Sequence, residues 1–323
     1  MNPIRIELPT PFDVGSVNAF LFTEPEPVLV DTGVHSDENW AALVAGLNAN
    51  GVALTDLRRI VITHPHVDHC GEAGPLAEAS GAQVWVSEVA QRWLADPAHM
   101  WQRRVDYYAH HFLPFTGLPE AAFQAVVGSM ARAAETAVPV PRHRLTTFPL
   151  DGTLQMGGLP WQVLHMPGHS DYQTCFYQPD TRQFLAADML LAKTPTPIVE
   201  RPLDDTLTRI PALPKFRRSL DLVEALDIET VYPGHGDIFT NHRALIAQQR
   251  QRIVARKEEC LRLVRNGRYT IAQLTEEMYS HIPLRFRFSG LWMLVGYLDL
   301  LQAEGAVTEQ LRDGIWHYIP ANQ

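Results

Sequence analysis

Apolar and polar positions follow two different periods in the first 90 residues of the chain. Short apolar or alternating runs predict strands at 4–8, 17–22, 28–30, 57–63 and 84–86. A helical period between them predicts helices over 38–50 and 72–80, and the glycines that follow, Gly51 and Gly81, suit the left-handed turn after a helix. This alternation indicates an α/β architecture whose strand ends are free to carry chemistry.

Residues 88–145 interrupt this order with a helical pattern that five prolines divide. Large apolar and aromatic side chains are frequent in it, and we interpret it as a helical insertion. Strands are predicted again after it, at 144–148, 153–156, 161–165, 174–177, 184–187 and 230–232, with a helix over 217–226. The second half is therefore expected to be a strand-rich partner of the first.

The pattern changes once more after Asn241. Three helices and a hairpin are predicted there, over 243–265, 270–279, 291–304 and 306–319, with Thr270 able to cap the second helix. This is the order of elements in a winged-helix module. We expect two domains, a catalytic domain over 1–240 and a winged-helix-like domain over 241–323.

Composition narrows the class of protein. The chain has 323 residues, 46% of them hydrophobic, which is ordinary for a globular protein, and its three scattered cysteines do not suit a disulfide framework. No apolar run approaches the roughly 20 residues that cross a bilayer, and the start lacks the pattern of a signal peptide. We expect a cytoplasmic protein without membrane contact.

Charge is unevenly distributed along the chain. Residues 241–323 carry 11 Lys and Arg against 8 Asp and Glu, so the net charge of −9 leaves −12 for residues 1–240. Eight of the basic residues lie between His242 and Arg268. This stretch is either a solvated helix face or a track for phosphates, and the acidic body argues against a general partnership with nucleic acid.

The strongest chemical signal is the segment Thr63-His-Pro-His-Val-Asp-His-Cys-Gly71, in a chain that holds 14 histidines. It places His64, His66, Asp68 and His69 directly after a buried strand. Pro65 favours extended backbone at His64, so we expect a loop at the strand end rather than one face of a helix. Imidazole and carboxylate are ligand types that suit Zn²⁺, and also iron or manganese.

Three more short segments can complete a metal site. His169 lies in Pro167-Gly-His-Ser170, Asp188 ends an apolar strand, and His235 lies in Pro233-Gly-His-Gly236. A single histidine or aspartate of this kind is usually a structural residue. Their common placement, just past a strand and beside small or turn-forming residues, favours a shared site.

These segments, in this order and together with Asp31-Thr-Gly33, resemble the metallo-β-lactamase-fold hydrolase superfamily over roughly residues 4–240. The resemblance implies an αββα sandwich with a binuclear metal site at the strand ends. It also implies the ligands: His64, His66 and His169 for the first metal, Asp68, His69 and His235 for the second, and Asp188 bridging both. Asp31 would steady a ligand. The tail from Asn241 resembles the subgroup with a C-terminal winged helix, whose members often carry a hydroxyacylglutathione-hydrolase-like label.

The resemblance implies two divalent ions, zinc first and iron or manganese as alternatives, and a hydroxide bridging them as the nucleophile. Asp68 and Asp188 are then the catalytic carboxylates, and Asp68 can take up a proton as the intermediate collapses. Cys70, beside His69, is the alternative ligand or nucleophile, but no second cysteine accompanies it.

A small acyl thioester or related ester is the expected substrate, because the body is acidic and the aromatic-rich insertion can form an apolar lid over the metals. The insertion can instead serve plain packing or a homodimer surface. A ribonuclease acting on single-stranded RNA is one alternative, since some relatives with this tail cleave RNA. A lactonase is another. Met189 to Leu191 lack the tyrosine that the lactonases of this fold place after the bridging aspartate, but Tyr172 could serve a similar purpose from another loop. A DNA-binding regulator is disfavoured by the acidic third helix of the tail.

Overall fold

Two β-sheets face each other in the computed structural model, which describes residues 2–12, 14–192, 207–282 and 287–321. The first sheet has six strands in the order β1 to β6: Ile4–Leu8, Val17–Phe22, Val28–Val30, Arg59–Ile62, Gln83–Ser87 and Leu145–Phe148. The first three strands pair antiparallel, and β3 to β6 pair parallel. Helices α1 (Asp37–Ala49), α2 (Val67–Cys70) and α3 (Ala73–Ser80) lie between these strands in the chain.

The second sheet has five strands, in the order β11-β10-β9-β8-β7. They span Thr153–Met156 (β7), Leu159–His165 (β8), Thr174–Gln178 (β9), Gln183–Ala187 (β10) and Thr230–Pro233 (β11). Strands β7 to β10 are antiparallel neighbours, whereas β11 returns parallel to β10. A parallel return requires a crossover, and helix α7 (Ala212–Ala225) lies between the two strands in the chain.

Successive side chains of each strand point to opposite faces of its sheet, and this alternation produces the layers of the molecule. In β10, Leu185 faces a cluster between the sheets, whereas Phe184 and Ala186 face outward toward α7 and the C-terminal helices. Between the sheets, Phe22 meets Trp161 edge-on, with ring centroids 5.6 Å apart. Residues of α1 and α3 cover the outer face of the first sheet. The predicted αββα sandwich is confirmed.

The helical insertion lies between β5 and β6, as the sequence predicts. It contains α4 (Gln91–Ala95), α5 (Pro97–Tyr107), a π-helical turn at Tyr108–Phe112, a 3₁₀ turn at Leu113–Thr116 and α6 (Glu120–Glu135). One expectation is wrong: the strand predicted at 144–148 does not begin the second half. It is β6, which pairs parallel with β5 and completes the first sheet, so the whole insertion is a crossover within that sheet.

Helix α7 begins at Ala212, five residues before the predicted start. Pro214 lies in its first turn, where a missing backbone N–H breaks no hydrogen bond, so the proline does not delay the helix. Among the described residues, no helix is both long enough and apolar enough to cross a bilayer.

The C-terminal elements come in the predicted order of three helices and a hairpin. They are α8 (His242–Arg265), α9 (Ile271–Tyr279), α10 (Arg287–Ala303), β12 (Val307–Arg312) and β13 (Ile315–Pro320). Thr270 caps α9 by accepting a hydrogen bond from the backbone N–H of Gln273. The winged-helix assignment and the domain boundary near residue 240 stay predictions. We call residues 241–321 the C-terminal module.

The C-terminal module packs against both the second sheet and the insertion. Its buried side chains form one apolar cluster with α7 and with the outer face of the second sheet. Trp292 of α10 lies against Phe112, with ring centroids 5.8 Å apart, and Trp316 of β13 stacks on Phe115 at 5.1 Å. The module is therefore an integral part of this fold.

Candidate metal centre

Four segments that follow strands meet at one edge of the sandwich. They follow β4, β8, β10 and β11 and carry the seven candidate ligands: His64, His66, Asp68, His69, His169, Asp188 and His235. The prediction that the first four lie on one loop is only half right. The backbone is extended as far as His66, which precedes α2, so Asp68 and His69 lie on a single helical turn. This turn redirects their side chains relative to those of His64 and His66.

His64, His66 and His169 form the first group of ligand atoms. His66 Nδ1 lies 3.0 Å from His64 Nε2 and 2.9 Å from His169 Nε2. The two residues on the β4 loop and the one on the β8–β9 loop are thus brought together although 103 positions separate His66 from His169. The structure assembles the three histidines that the resemblance assigns to one metal.

Asp68, His69 and His235 form the second group, whose ligand atoms lie within 4.8 Å of one another. His235 Nε2 lies 3.4 Å from Asp68 Oδ2. Asp188 lies between the two groups: its carboxylate oxygens are 3.3 Å from His69 Nε2, 3.3 Å from His169 Nε2 and 3.5 Å from His235 Nε2. One carboxylate thus contacts histidines of both groups.

Hydrogen bonds at Nδ1 fix the orientation of three of the imidazole rings. His69 Nδ1–H donates to Asp31 Oδ2 at 2.8 Å, and His235 Nδ1–H donates to the carbonyl oxygen of Ser16 at 2.8 Å. The Thr63 hydroxyl donates to Asp31, so it accepts from His64 Nδ1 at 3.0 Å. In the neutral form of each ring, Nε2 therefore carries the lone pair and points into the cluster, as in metal-ligating histidines.

Two buried polar atoms support the same interpretation. His69 Nε2 and Asp188 Oδ1 face each other at 3.3 Å and are fully shielded from solvent, yet neither makes a well-aligned hydrogen bond with any described residue. Unsatisfied buried polar atoms are costly, and two of them at the centre of a histidine–aspartate cluster indicate a ligand. The nitrogen and carboxylate donors fit divalent zinc, iron or manganese. The residues present thus fit a metal centre, while the assignment of individual ligands stays a prediction.

Charge within the cluster sets its protonation. Burial would raise the pKa of Asp188, but His235, His69 and His169 hold it well below the ordinary value. Burial would also raise the pKa of Asp68, yet its hydrogen bond with His235 and the charge of His69 lower it to about 2. Both carboxylates are therefore ionised at neutral pH.

The histidines divide into two kinds. Burial, together with the neighbouring imidazoles, lowers the pKa of His64 well below 6.5, so this ring is neutral. Burial also works against the charged form of His235, but Asp188 and Asp68 outweigh it and raise its pKa to about 10. The pKa of His69 is likewise raised, by Asp188 and Asp31. A metal at the second group must displace these protons.

Asp31 lies where a ligand-orienting residue is expected. Its Oδ1 accepts from the backbone N–H of Thr63 at 2.9 Å, and its Oδ2 accepts from the Thr63 hydroxyl at 2.8 Å and from His69. Its φ of 62° is a left-handed conformation that is uncommon outside glycine. A non-glycine residue held in this conformation by three hydrogen bonds indicates a fixed carboxylate, as a residue that orients a ligand requires.

The sequence reasoning missed Asn18, which holds the segment around His235. Its side-chain amide donates to the carbonyl oxygens of Pro233 at 2.9 Å and Gly236 at 2.7 Å. The available signal was a polar residue inside the apolar strand β2, where all six residues are buried. Gly234 is equally constrained, because a Cβ there would lie 2.1 Å from Asp188 Oδ1.

Other singled-out residues lie outside the cluster. Cys70 belongs to none of the candidate metal groups among the described residues, and burial and the nearby carboxylates raise the pKa of its thiol, which disfavours a nucleophile. His110 and His111 are exposed on the π-helical turn. Tyr172 is buried, and its ring packs edge-on against Trp93 of the insertion at 5.8 Å.

Comparison with known proteins agrees with this geometry. Residues 12–235 match the family model of the metallo-beta-lactamase superfamily. The chain is 30% identical over 314 residues to a protein of Bacillus subtilis (strain 168) named "Probable metallo-hydrolase YqjP", a match that covers 94% of this chain and 93% of the relative.

Solved structures show the same fold along almost the whole chain. The metallo-beta-lactamase family protein TTHA1429 from Thermus thermophilus aligns with a TM-score of 0.80 and 26% identity, over 98% of each chain. A beta-lactamase domain protein from Burkholderia ambifaria aligns with a TM-score of 0.77 and 21% identity, over 98% of this chain and 92% of its own. The likeness therefore extends through the insertion and the C-terminal module.

The prediction of a metal-dependent hydrolase is confirmed by the family match, by the similarity to the Bacillus subtilis protein and by the histidine–aspartate groups. The chain belongs to the metallo-beta-lactamase superfamily.

Proposed function

We propose that the chain is a binuclear metal-dependent hydrolase that cleaves a small acyl thioester or a related ester. The position of Asp188 is the observation that carries this proposal. Its carboxylate lies within 3.5 Å of histidines from both groups, so a single side chain can serve two metals. His64, His66 and His169 would hold one ion, Asp68, His69 and His235 the other, with zinc the first expectation for both.

Two bound cations would supply an activated water and polarise the carbonyl of the substrate. The chain's own residues accept and pass on the protons and hold the reacting groups in place. Asp68, ionised at neutral pH, accepts the proton lost as the water oxygen attacks the carbonyl carbon. The bond to the leaving sulfur or oxygen then breaks, and that proton passes to the leaving group. No serine or cysteine nucleophile is needed, in keeping with the raised pKa of the Cys70 thiol.

Aromatic contacts join the insertion to the loop that carries His169, which supports an acyl substrate. Tyr172 follows His169 by three residues and contacts Trp93, which in turn meets Trp101 at 5.9 Å between ring centroids. Trp93 and Trp101 belong to the insertion, so the insertion reaches the loop that carries His169. All three rings are buried, so they anchor the insertion beside this loop, where it can cover an apolar acyl portion of the substrate.

The basic helix α8 offers little support for a ribonuclease. Three of its seven Lys and Arg pair with carboxylates of the chain: Arg250 with Asp221 and Glu224, Arg256 with Glu259, and Lys257 with Glu304. Arg268, just beyond α8, pairs with Glu277. A track for phosphates needs cations that are available to the polyanion, and pairing with carboxylates removes that attraction. The buried packing of Tyr172 likewise disfavours its use as a lactonase tyrosine.

A side-by-side assay separates these substrates. Protein of measured metal content is incubated with acyl thioesters, matching oxoesters, lactones and single-stranded RNA, each with and without a chelator. We expect chelator-sensitive hydrolysis of thioesters, with oxoesters slower. RNA cleavage that weakens with added salt, in the absence of any thioester hydrolysis, would overturn the proposed substrate class.

A further inference from the structure

The loop that carries His169 rests on one helix. Residues 166–173 connect β8 to β9, and two side chains of α7 hold them. Ser219 Oγ donates to the carbonyl oxygen of Pro167 at 2.8 Å, and Lys215 forms an ion pair with Asp171. Lys215 and Ser219 are four residues apart and therefore lie on the same face of α7.

Between these two contacts the loop approaches the backbone of α7 itself. Gly168 has a φ of 148°, and a Cβ there would lie 2.5 Å from Phe216 Cα and 2.8 Å from Phe216 N. Only glycine permits this conformation and this approach. The residue directly before His169 is thus seated on the helix, with no side chain to separate them.

The loop is also closed on itself. The backbone N–H of Met166 donates to the carbonyl oxygen of Gln173 at 3.0 Å, and that of Gly168 donates to Ser170 at 3.2 Å. The ring of His165 donates from Nε2 to the carbonyl oxygen of Asp171 at 2.8 Å. These bonds fix the shape of the loop. Its orientation relative to His64 and His66 is set by α7 together with Thr174 at the start of β9, whose backbone N–H and hydroxyl both donate to the carbonyl oxygen of Thr63 at 2.9 Å.

Helix α7 is held in turn by the C-terminal module. Leu213 packs against Gly296 of α10, where a Cβ would lie 2.6 Å from the Leu213 Cβ. Arg250 of α8 forms ion pairs with Asp221 and Glu224 of α7, each at 2.6 Å. Arg243 of α8 donates to the carbonyl oxygens of Glu224 and Leu226 at the end of α7. One helix therefore contacts both the C-terminal module and the candidate metal centre.

We propose that α7 is a positioning element for His169, with Lys215 as its positioning residue, and that the C-terminal module acts on the metal centre through α7. The inference rests on the proposed role of His169 as a metal ligand. It gives the C-terminal module a task in this chain that requires no nucleic acid. Loosening the contact between α7 and the loop should weaken the metal held with His169 and leave the other metal in place.

Lys215→Met tests the contact with the loop, because it removes the ion pair and retains an unbranched side chain. Metal-free protein is titrated with Co²⁺ and followed by absorption, with His169→Ala as the reference for the remaining site. We expect one Co²⁺ to bind as in the wild type and the other about tenfold more weakly. Arg217→Met, an exposed change of the same charge on the same helix, should bind both ions as the wild type does, and Lys215→Arg should restore affinity.

Arg250→Met tests the link to the C-terminal module, and Arg268→Met is its control because Arg268 pairs with Glu277 inside the module. We expect Arg250→Met to weaken the same Co²⁺ about threefold and Arg268→Met to leave it unchanged. Thermal unfolding of all variants identifies any general loss of structure.

The outcomes separate this inference from the proposed function. If the wild type binds two Co²⁺ and Lys215→Met binds both with unchanged affinity, the inference is wrong and the binuclear site stands. If both ions weaken equally in Lys215→Met, α7 supports the fold in general and not His169, which also contradicts the inference. If the wild type binds no Co²⁺, the proposed metal centre itself is wrong.

Discussion

Asp31→Asn perturbs the metal centre without touching a proposed ligand. The carboxylate of Asp31 accepts three hydrogen bonds, from the backbone N–H and hydroxyl of Thr63 and from His69 Nδ1. An asparagine side chain has one oxygen and one NH₂ group in their place. If the NH₂ group takes the position of Oδ2, it faces the His69 ring as a donor and drives the ring proton to Nε2, the atom that points into the cluster. If it takes the position of Oδ1, it opposes the backbone N–H of Thr63.

The expected magnitude follows from these bonds. Hydrogen bonds to a charged group contribute about 1.5–3 kcal/mol each, so the loss of one bond and the weakening of the others should lower the free energy of unfolding of the metal-free protein by about 3 kcal/mol. Changing a residue that orients a ligand typically weakens metal binding about 10- to 100-fold. The weakened ion should be the one that His69 holds.

Two measurements check this prediction. Urea denaturation of metal-free protein gives the change in stability, and Co²⁺ titration gives the affinities. Asp151→Asn, an exposed change of the same kind, is the control and should match the wild type in both. An Asp31→Asn protein that binds both ions within twofold of the wild type would refute the reasoning that Asp31 sets the tautomer of His69.

Three further predictions concern pH, Gly234 and Asn18. The metal-free protein should lose stability as pH rises from 6.5 to 10, because the pKa of His235 is about 10 in the folded state and 6.5 in the unfolded state. Denaturation curves that show a gain in stability over this interval would contradict this prediction. Gly234→Ala should abolish binding of at least one metal, since the added Cβ lies 2.1 Å from Asp188 Oδ1, and full occupancy by metal analysis would disagree. Asn18→Ala removes the side-chain donor of the Pro233 carbonyl oxygen and one of the two donors of the Gly236 carbonyl oxygen, which keeps Arg5. It should cost about 1–3 kcal/mol in unfolding free energy and reduce hydrolysis, and unchanged thermal stability would count against the role of Asn18.

Local patterns in the sequence carry most of the fold and the ligand set. Strands β1, β2 and β3 occupy their predicted residues because apolar periodicity reports directly which side chains are buried. The ligand candidates were recognisable because histidine and aspartate rarely cluster after a buried strand unless they bind something, and the structure brings all seven together.

The missed features depend on contacts between distant parts of the chain. Strand β6 is separated from its partner β5 by the whole insertion, so periodicity alone did not place β6 in the first sheet. The contact of Gly168 with Phe216 joins residues 48 positions apart, and a single glycine in a loop does not predict such a contact. Asn18 acts on the His235 segment from a different sheet, which only the assembled sandwich reveals.

Metal content is the most direct test of the proposed binuclear centre. Wild-type protein and Asp188→Ala are prepared side by side with excess metal, freed of loosely bound ions, and analysed for transition metals per chain, with circular dichroism to confirm that both are folded. The proposed role of Asp188 between the two groups predicts about two ions per wild-type chain, fewer in Asp188→Ala, and no hydrolysis by the variant. A folded wild-type protein that holds no metal, or an Asp188→Ala protein with full occupancy and full turnover, would contradict it.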